Sequence, residues 1–139
     1  MEKKNSKRFI EESFPIKEVS QESSKEKYII RGHISNLHTW WARRPLTSSR
    51  ATSYAALIPA PKNERELDKK RQFIIDLSKW KNSLDPCIIE KARKDILKAN
   101  GGKKPKVLDP FAGGGAIPLE VLRLGCETYA GEYNPVAVL

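Results

Sequence analysis

The sequence predicts an α/β fold in which a mainly helical, basic region over residues 1–106 precedes a β-α-β unit over residues 107–139. Apolar residues recur at helical spacing through the first region. In the second, a short apolar run ending at Asp109 leads directly into three glycines, Gly113 to Gly115. Another strand-like run follows after a helix-length gap, which predicts two parallel strands with a right-handed crossover.

Four helices are predicted in the first region. A short one begins at Pro15, and a second begins at Pro45 and ends before Pro59. A third is predicted over residues 64–81, and the fourth begins at Asp85-Pro86 and ends at Asn100-Gly101-Gly102. The residues predicted to face inward are Ile16 and Val19; Ala51, Tyr54, Ala55 and Ile58; Phe73, Leu77, Trp80 and Leu84; Ile88 or Ile89, Ala92 and Ile96. Residues 20–27 are polar and carry no prediction.

The β-α-β unit is predicted to begin with a strand over residues 106–109. A helix over residues 117–124 follows the glycine turn and is closed by Gly125. Residues 128–132 are predicted to form the second strand, after which Asn134-Pro135 opens another helix.

Charge divides the chain in the same place. Residues 1–106 carry 25 Lys and Arg against 13 Asp and Glu, whereas residues 107–139 carry one Arg against four acids. This asymmetry favours a polyanionic partner, with nucleic acid first, whereas the mixed charges of residues 62–106 favour exposed helices solvated by their lysines. No run is long enough for a membrane span, and no signal peptide is seen. Cys87 and Cys126 are expected to be reduced, in a cytoplasmic protein.

Three kinds of cofactor site contain a glycine turn of this type: the P-loop, the dinucleotide fold and the S-adenosylmethionine site. A P-loop needs Lys-Ser/Thr after its last glycine, and none follows Gly115; a dinucleotide fold wants a third glycine where Pro118 stands. The acid Asp109 also disfavours a pyrophosphate. S-adenosylmethionine fits better, because Asp109 can face its cationic part while N–H groups of residues 113–116 take its carboxylate.

A second acid supports this interpretation. Glu132 lies 23 positions after Asp109, close to the spacing of about 20 at which an acid binds ribose hydroxyls in nucleotide folds. Tyr133 follows it and can stack on adenine. The alternative is an ordinary strand–turn–helix corner without a ligand.

The string Asp109-Pro110-Phe111-Ala112-Gly113-Gly114-Gly115 closely resembles the S-adenosylmethionine motif of the DNA amino-methyltransferases. The resemblance implies that Asp109, Pro110, Phe111, Gly113 and Gly115 bind the cofactor, with Glu132 on its ribose. More narrowly, the chain is similar to the N-terminal part of large adenine-specific DNA methylases whose leading domain is named DUF1156. That similarity is carried by residues 32–38, 40–46 and 107–139.

The resemblance implies the start of a Rossmann-like class I methyltransferase fold, in an incomplete domain, with DNA, S-adenosylmethionine and the remainder of that domain as partners. The reaction would transfer methyl to the exocyclic amine of a base, with adenine favoured. The Asp/Asn-Pro-Pro-Tyr/Phe motif of these enzymes is absent from the 139 residues, so no catalytic residue is assigned and the chain alone is expected to be inactive. Ala116 stands where many relatives have Ser or Thr, and Glu132 where Asp is commoner. A non-catalytic nucleic-acid-binding or assembly fragment and an RNA methyltransferase remain alternatives.

Residues 40–46, here called the aromatic–arginine segment, read Trp-Trp-Ala-Arg-Arg-Pro-Leu and allow three interpretations. The arginines can contact DNA phosphates while a tryptophan stacks on a base. Alternatively, the segment resembles the basic-residue-plus-proline motif that precedes the glycine motif in related amino-methyltransferases, which implies that Arg44 pairs with the carboxylate of the cofactor. In the third interpretation the tryptophans are core residues. His33 and His38 lack a third ligand, so no metal is expected.

Overall fold

The computed structural model describes residues 7–29, 40–42 and 44–138. It is an α/β fold, mostly helical, with one two-stranded parallel sheet. The elements, in chain order, are α1 Phe9–Glu12, α2 Ile16–Glu26, α3 Leu46–Leu57, α4 Glu64–Ser78, a 3₁₀ turn Trp80–Asn82, α5 Pro86–Ala99, β1 Lys106–Asp109, α6 Ala116–Arg123, β2 Glu127–Ala130 and α7 Pro135–Val138.

The predicted parallel β-α-β arrangement is confirmed. Lys106 pairs with Glu127 and Asp109 with Ala130, so the two strands are in parallel register with α6 between them in sequence. The second strand is shorter than predicted and ends at Ala130, because its partner strand ends opposite it at Asp109. Glu132 therefore lies just beyond the sheet, at the end where Asp109 also lies.

One apolar core joins the helices. The face of α3 predicted to point inward is confirmed, and Val121 of α6 and Leu124, which directly follows α6, join the same cluster. In α5 the fully inward residue is Ile89, with Ala92 and Ile96, whereas Ile88 is only partly buried. Since residues from both predicted regions share this core, the division at residue 106 stays a prediction.

Two predicted inward positions are wrong. Leu84 is 73% exposed, because α4 ends at Ser78 and the chain then enters the 3₁₀ turn, which breaks the helical stripe. Ile16 is also exposed, while Val19 is buried. Helix α2 extends through most of the segment that carried no prediction. Its serines fit this helix because the Ser23 and Ser24 hydroxyls donate to the carbonyls of Val19 and Ser20, one turn earlier.

Helix starts follow the predicted chemistry in part. The Asp85 carboxylate accepts the Cys87 N–H at 2.8 Å, as the Asp-Pro start predicts. Helix α3 lacks a local side-chain cap, and the Glu26 carboxylate at the end of α2 serves instead, accepting from Leu46 N at 2.9 Å and Thr47 N at 3.0 Å. Cys87 is exposed and Cys126 buried, and both are free thiols. Among the described residues, no helix has the length and apolar character needed to cross a membrane.

Candidate functional site

The glycine turn connects the end of β1 to the start of α6. At the start of the turn, the Asp109 carboxylate accepts the Phe111 N–H at 3.1 Å. At its end, the Gly115 N–H donates to the Ala112 carbonyl at 2.8 Å. Gly115, which precedes the first residue of α6, has a φ of 74°. A side chain is strained in that left-handed conformation, so glycine is needed there on backbone grounds alone.

Glu132 ties the end of β2 to this turn. Its Oε2 accepts the Gly113 N–H at 2.8 Å, and its Oε1 accepts the N–H groups of Tyr133 at 2.8 Å and Asn134 at 3.3 Å. These bonds, that of Gly113 first, hold the pKa of the Glu132 carboxyl below its ordinary value. Glu132 is thus a fixed negative charge at the turn. The sequence predicted that the Gly113 N–H binds the carboxylate of the cofactor. In the structure this N–H donates to Glu132 instead.

The aromatic–arginine segment lies against the glycine turn through Trp40. A Cβ at Gly113 would lie 2.8 Å from Trp40 Nε1, and a Cβ at Gly114 would lie 3.1 Å from Trp40 Cβ. Both distances are shorter than ordinary van der Waals contact. Two of the three glycines therefore leave room for the indole, whereas nothing lies within 4 Å of a Cβ at Gly115.

These parts enclose a cleft of about 290 Å³. Five of the predicted cofactor-binding residues line it: Arg44, Asp109, Phe111, Gly113 and Glu132. The remaining lining residues are Trp40, Ala42, Ala112, Gly114, Ala116 and Ile117. The structure thus brings together a segment near residue 44 and two strand ends more than sixty positions further along the chain.

Three predicted residues lie outside that lining. Tyr133 is exposed next to Glu132, and Pro110 is exposed at the start of the turn. Gly115 shapes the start of α6 rather than the wall of the cleft. Their predicted roles in binding the cofactor stay predictions.

The structure distinguishes the interpretations of the aromatic–arginine segment. Trp41 is 91% exposed, so the interpretation of both tryptophans as core residues is wrong. Trp40 and Arg44 line the cleft, which is the arrangement that the cofactor-support interpretation requires. The DNA-contact interpretation stays open for the exposed Trp41.

Two features of the site were missed in the sequence. The first is the contact of Trp40 with Gly113 and Gly114. The sequence signal for it was a run of three consecutive glycines, one more than the turn needs. The second is Glu26, which holds the start of α3 directly after Arg44 and Pro45. Its signal was a helix start without any acid in its first turn.

The chemistry of the cleft is that of a site for a ligand carrying both charges. Asp109 and Glu132 provide two carboxylates, Arg44 provides a guanidinium, and Trp40 and Phe111 provide aromatic surfaces. Aromatic faces and carboxylates attract cations, while a guanidinium pairs with a carboxylate. The described residues hold no group of three His, Cys, Asp or Glu side chains suited to a metal ion, and His33 and His38 lie outside the described residues.

Comparison with known families gives one match. Residues 13–81 match the family model described as "Protein of unknown function (DUF1156)". This match supports the DUF1156 family. The DUF1156 segment includes α2, α3, α4 and the cleft residues Trp40 and Arg44, while the glycine turn and Glu132 follow it in the chain. No curated protein matches the chain, and no solved structure does. Because the family's function is described as unknown, the match identifies the segment and carries no activity.

Proposed function

We propose that the cleft between the aromatic–arginine segment and the glycine turn binds S-adenosylmethionine. In this proposal, residues 107–139 begin a Rossmann-like class I methyltransferase domain that acts on DNA. The observation that carries it is the convergence in one cleft of Arg44, the glycine turn and the two strand-end acids. The reaction is methyl transfer to the exocyclic amine of a base, with adenine favoured by the resemblance of the motif.

The residues present fit the amino-acid end of this cofactor. Its ammonium and sulfonium are cations, for which Asp109 and the aromatic surfaces of Trp40 and Phe111 are suitable neighbours, while Glu132 is assigned to the ribose hydroxyls. Its carboxylate suits Arg44 and the start of α6. The volume of about 290 Å³ lies just below the usual range for small-molecule sites, about 300–1,000 Å³.

The same residues disfavour nucleotides bound through a pyrophosphate. A phosphate-binding glycine loop offers backbone N–H groups to the anion. Here the Gly113 N–H donates to the negatively charged Glu132, and Trp40 lies against Gly113 and Gly114. A diphosphate at this turn would meet both a like charge and an indole.

When bound, S-adenosylmethionine supplies an electrophilic methyl group. The chain's contribution is binding and orientation: Arg44 holds the carboxylate of the amino acid, Asp109 its positive charge, and Glu132 the ribose. The glycine turn is fixed by Glu132 and by the bond from Gly131 N to the Asp109 carbonyl, so this geometry is set before a ligand arrives. The pocket for the target base requires residues beyond those named here.

Calorimetry with the purified chain tests cofactor binding. We expect S-adenosylmethionine to bind, and NAD and ATP to bind at least about tenfold more weakly. Arg44→Ala should raise the Kd for S-adenosylmethionine by about tenfold or more, because a charge-assisted hydrogen bond is lost. Arg65→Ala, at an exposed position of α4, is the matched control and should leave the Kd unchanged. Equal affinity for ATP, or an unchanged Kd in Arg44→Ala, would contradict the proposal.

A second function is favoured by charge. The excess of 25 basic over 13 acidic side chains in residues 1–106 suits a nucleic-acid-binding chain without catalysis. Duplex DNA binding is therefore measured with and without S-adenosylmethionine, over a series of salt concentrations. Tight DNA binding by a chain that does not bind the cofactor would favour this second function. Methyl transfer itself is assayed on adenine-containing and cytosine-containing DNA duplexes.

A further inference from the structure

A buried ion pair joins α3 and α6, the helices that follow the cleft residue Arg44 and the glycine turn. Arg50 lies four residues after the start of α3, and Glu120 lies four residues after the start of α6. Arg50 Nη1 is 3.1 Å from Glu120 Oε2, and both side chains are fully buried. The pair therefore links matching positions of the two helices.

The remaining polar atoms of this pair also have partners. Arg50 Nε donates to the Leu77 carbonyl at 2.8 Å, and Glu120 Oε1 accepts from Arg123 Nη1 at 2.8 Å. Burying charges costs solvation free energy, so a well-packed apolar pair of similar volume is often at least as stable. What an apolar pair lacks is direction, because it allows neighbouring registers that a hydrogen-bonded pair excludes.

Register matters here because both helices begin at the cleft. Arg44 precedes α3 across Pro45, and the glycine turn precedes α6; Arg44 and Ala116 both line the cleft. A slip of one helix past the other by a single residue would displace the two walls by about 1.5 Å. A displacement of that size is enough to lose a positioned contact.

We propose that Arg50 and Glu120 are positioning residues that set the register of α3 on α6 and so hold Arg44 opposite the glycine turn. Arg50 lies within residues 13–81 and Glu120 outside them. The DUF1156 segment thus acts as a fixed wall of the cofactor cleft, and its partner is the β-α-β unit of the same chain. The role of this wall in binding rests on the proposed function.

The test replaces the pair by apolar residues of similar size, in the double variant Arg50→Met/Glu120→Leu. Its matched control is Arg71→Met/Glu18→Leu, which removes another Arg–Glu pair between two helices, 3.5 Å apart and partly exposed. Three quantities are measured for each: the urea midpoint of unfolding, the Kd for S-adenosylmethionine, and the amide signals of Gly113 and Gly114 in ¹H–¹⁵N spectra. Those amides lie beside the Trp40 indole, so ring currents report its position without any ligand.

We expect the Arg50/Glu120 double variant to fold with a lower urea midpoint than the parent chain, because the Leu77 carbonyl loses its donor. Its Kd should rise by about tenfold or more, and the two glycine signals should move. The control should change neither the Kd nor the glycine signals. A double variant with the parent's Kd and glycine signals would show that the pair serves stability alone, and would overturn the proposal.

Two further outcomes of the experiment also test the proposal. If the double variant does not fold, Arg50→Met alone removes the pair between the helices and leaves Glu120 paired with Arg123 at 2.8 Å; unmoved glycine signals in that folded variant would overturn the proposal. If the parent chain does not bind S-adenosylmethionine, the proposed function fails. The glycine signals still decide whether the pair sets the register.

Discussion

The helical part of the molecule and the β-α-β unit use apolar residues differently. In α1, α3 and α4, Phe9, Ala55, Ile74 and Leu77 are fully buried in the core. In and around the sheet, large apolar side chains face outward: Leu108 is 67% exposed and Phe111 is 71% exposed.

The difference teaches that stability and the candidate site are provided by different parts of the chain. The helical part holds most of the buried apolar surface, which is the main source of folding free energy. The β-α-β unit attaches to it through Val121 and Leu124 and through the buried Arg50–Glu120 pair. The exposed, glycine-rich turn can thus be shaped by ligand requirements, because little of the core depends on it.

The largest expected effect is a loss of stability when the core of the helical part is disrupted. Ile74→Ala should lower the free energy of unfolding by about 2–5 kcal/mol, because it removes a fully buried side chain and leaves a cavity. Leu108→Ala, at an exposed position of β1, should change it by less than about 0.5 kcal/mol. Urea denaturation of both variants makes the measurement. Similar losses in the two variants would show that the regions share stability evenly.

A smaller effect separates the glycines within the turn. Gly115→Ala should cost about 1–2 kcal/mol, because its φ of 74° is unfavourable for any side chain. Gly114→Ala should cost about 1 kcal/mol for a different reason, the close approach of Trp40. Free energies of unfolding are measured for both substitutions with Trp40 present and in a Trp40→Gly background, which also lacks the Trp40 Cβ.

The background is the control. Removing the Trp40 side chain together with its Cβ should abolish most of the cost of Gly114→Ala and leave that of Gly115→Ala unchanged. A cost for Gly114→Ala that persists without Trp40 would mean that the glycine is required by the backbone instead.

The smallest effect is a dependence on pH. The pKa of the Glu132 carboxyl is lowered by the N–H groups it accepts, Gly113 first, so the folded chain favours its charged form. This contribution to stability is present above the ordinary pKa of a glutamate and is lost as the pH falls through the lowered folded value. Urea midpoints of the parent and of Glu132→Gln, measured between about pH 3 and 7, should therefore converge as the pH falls. A constant gap would contradict the fixed negative charge at the turn.

Much of the fold was predictable because its signals are local. The stripe Ala51, Tyr54, Ala55 and Ile58, the Asp85 cap and the first strand all follow from spacing or from one residue's chemistry. The prediction for Leu84 was wrong because it extended the apolar stripe of α4 through a 3₁₀ turn. No spacing rule marks where a helix changes to 3₁₀ geometry. The serine-rich part of α2 carried no prediction, because composition does not reveal that its hydroxyls bond within the helix.

The site was predictable where a motif was contiguous. Asp109, Phe111, Gly113 and Glu132 line the cleft as expected, and Arg44 joins them. The contacts that assemble it were not predictable. Arg50 and Glu120 are 70 positions apart, and single charged residues are normally solvent-exposed, so nothing local marked them as a buried pair. Trp40 was noted for its type, but its place against the glycines depends on tertiary packing.

The Arg50–Glu120 pair also constrains how this chain can diverge. One charge belongs to the DUF1156 segment and the other to the unit that follows it. A recombinant whose β-α-β unit comes from an ancestor without the acid would leave the Arg50 charge buried and uncompensated, at a cost of about 3–5 kcal/mol, whereas Glu120 without Arg50 keeps Arg123 as its partner. Substitutions at the two positions are then tolerated mainly when they occur together. The two parts are therefore expected to be inherited as one unit, and exchange between lineages to succeed only with both halves of the pair.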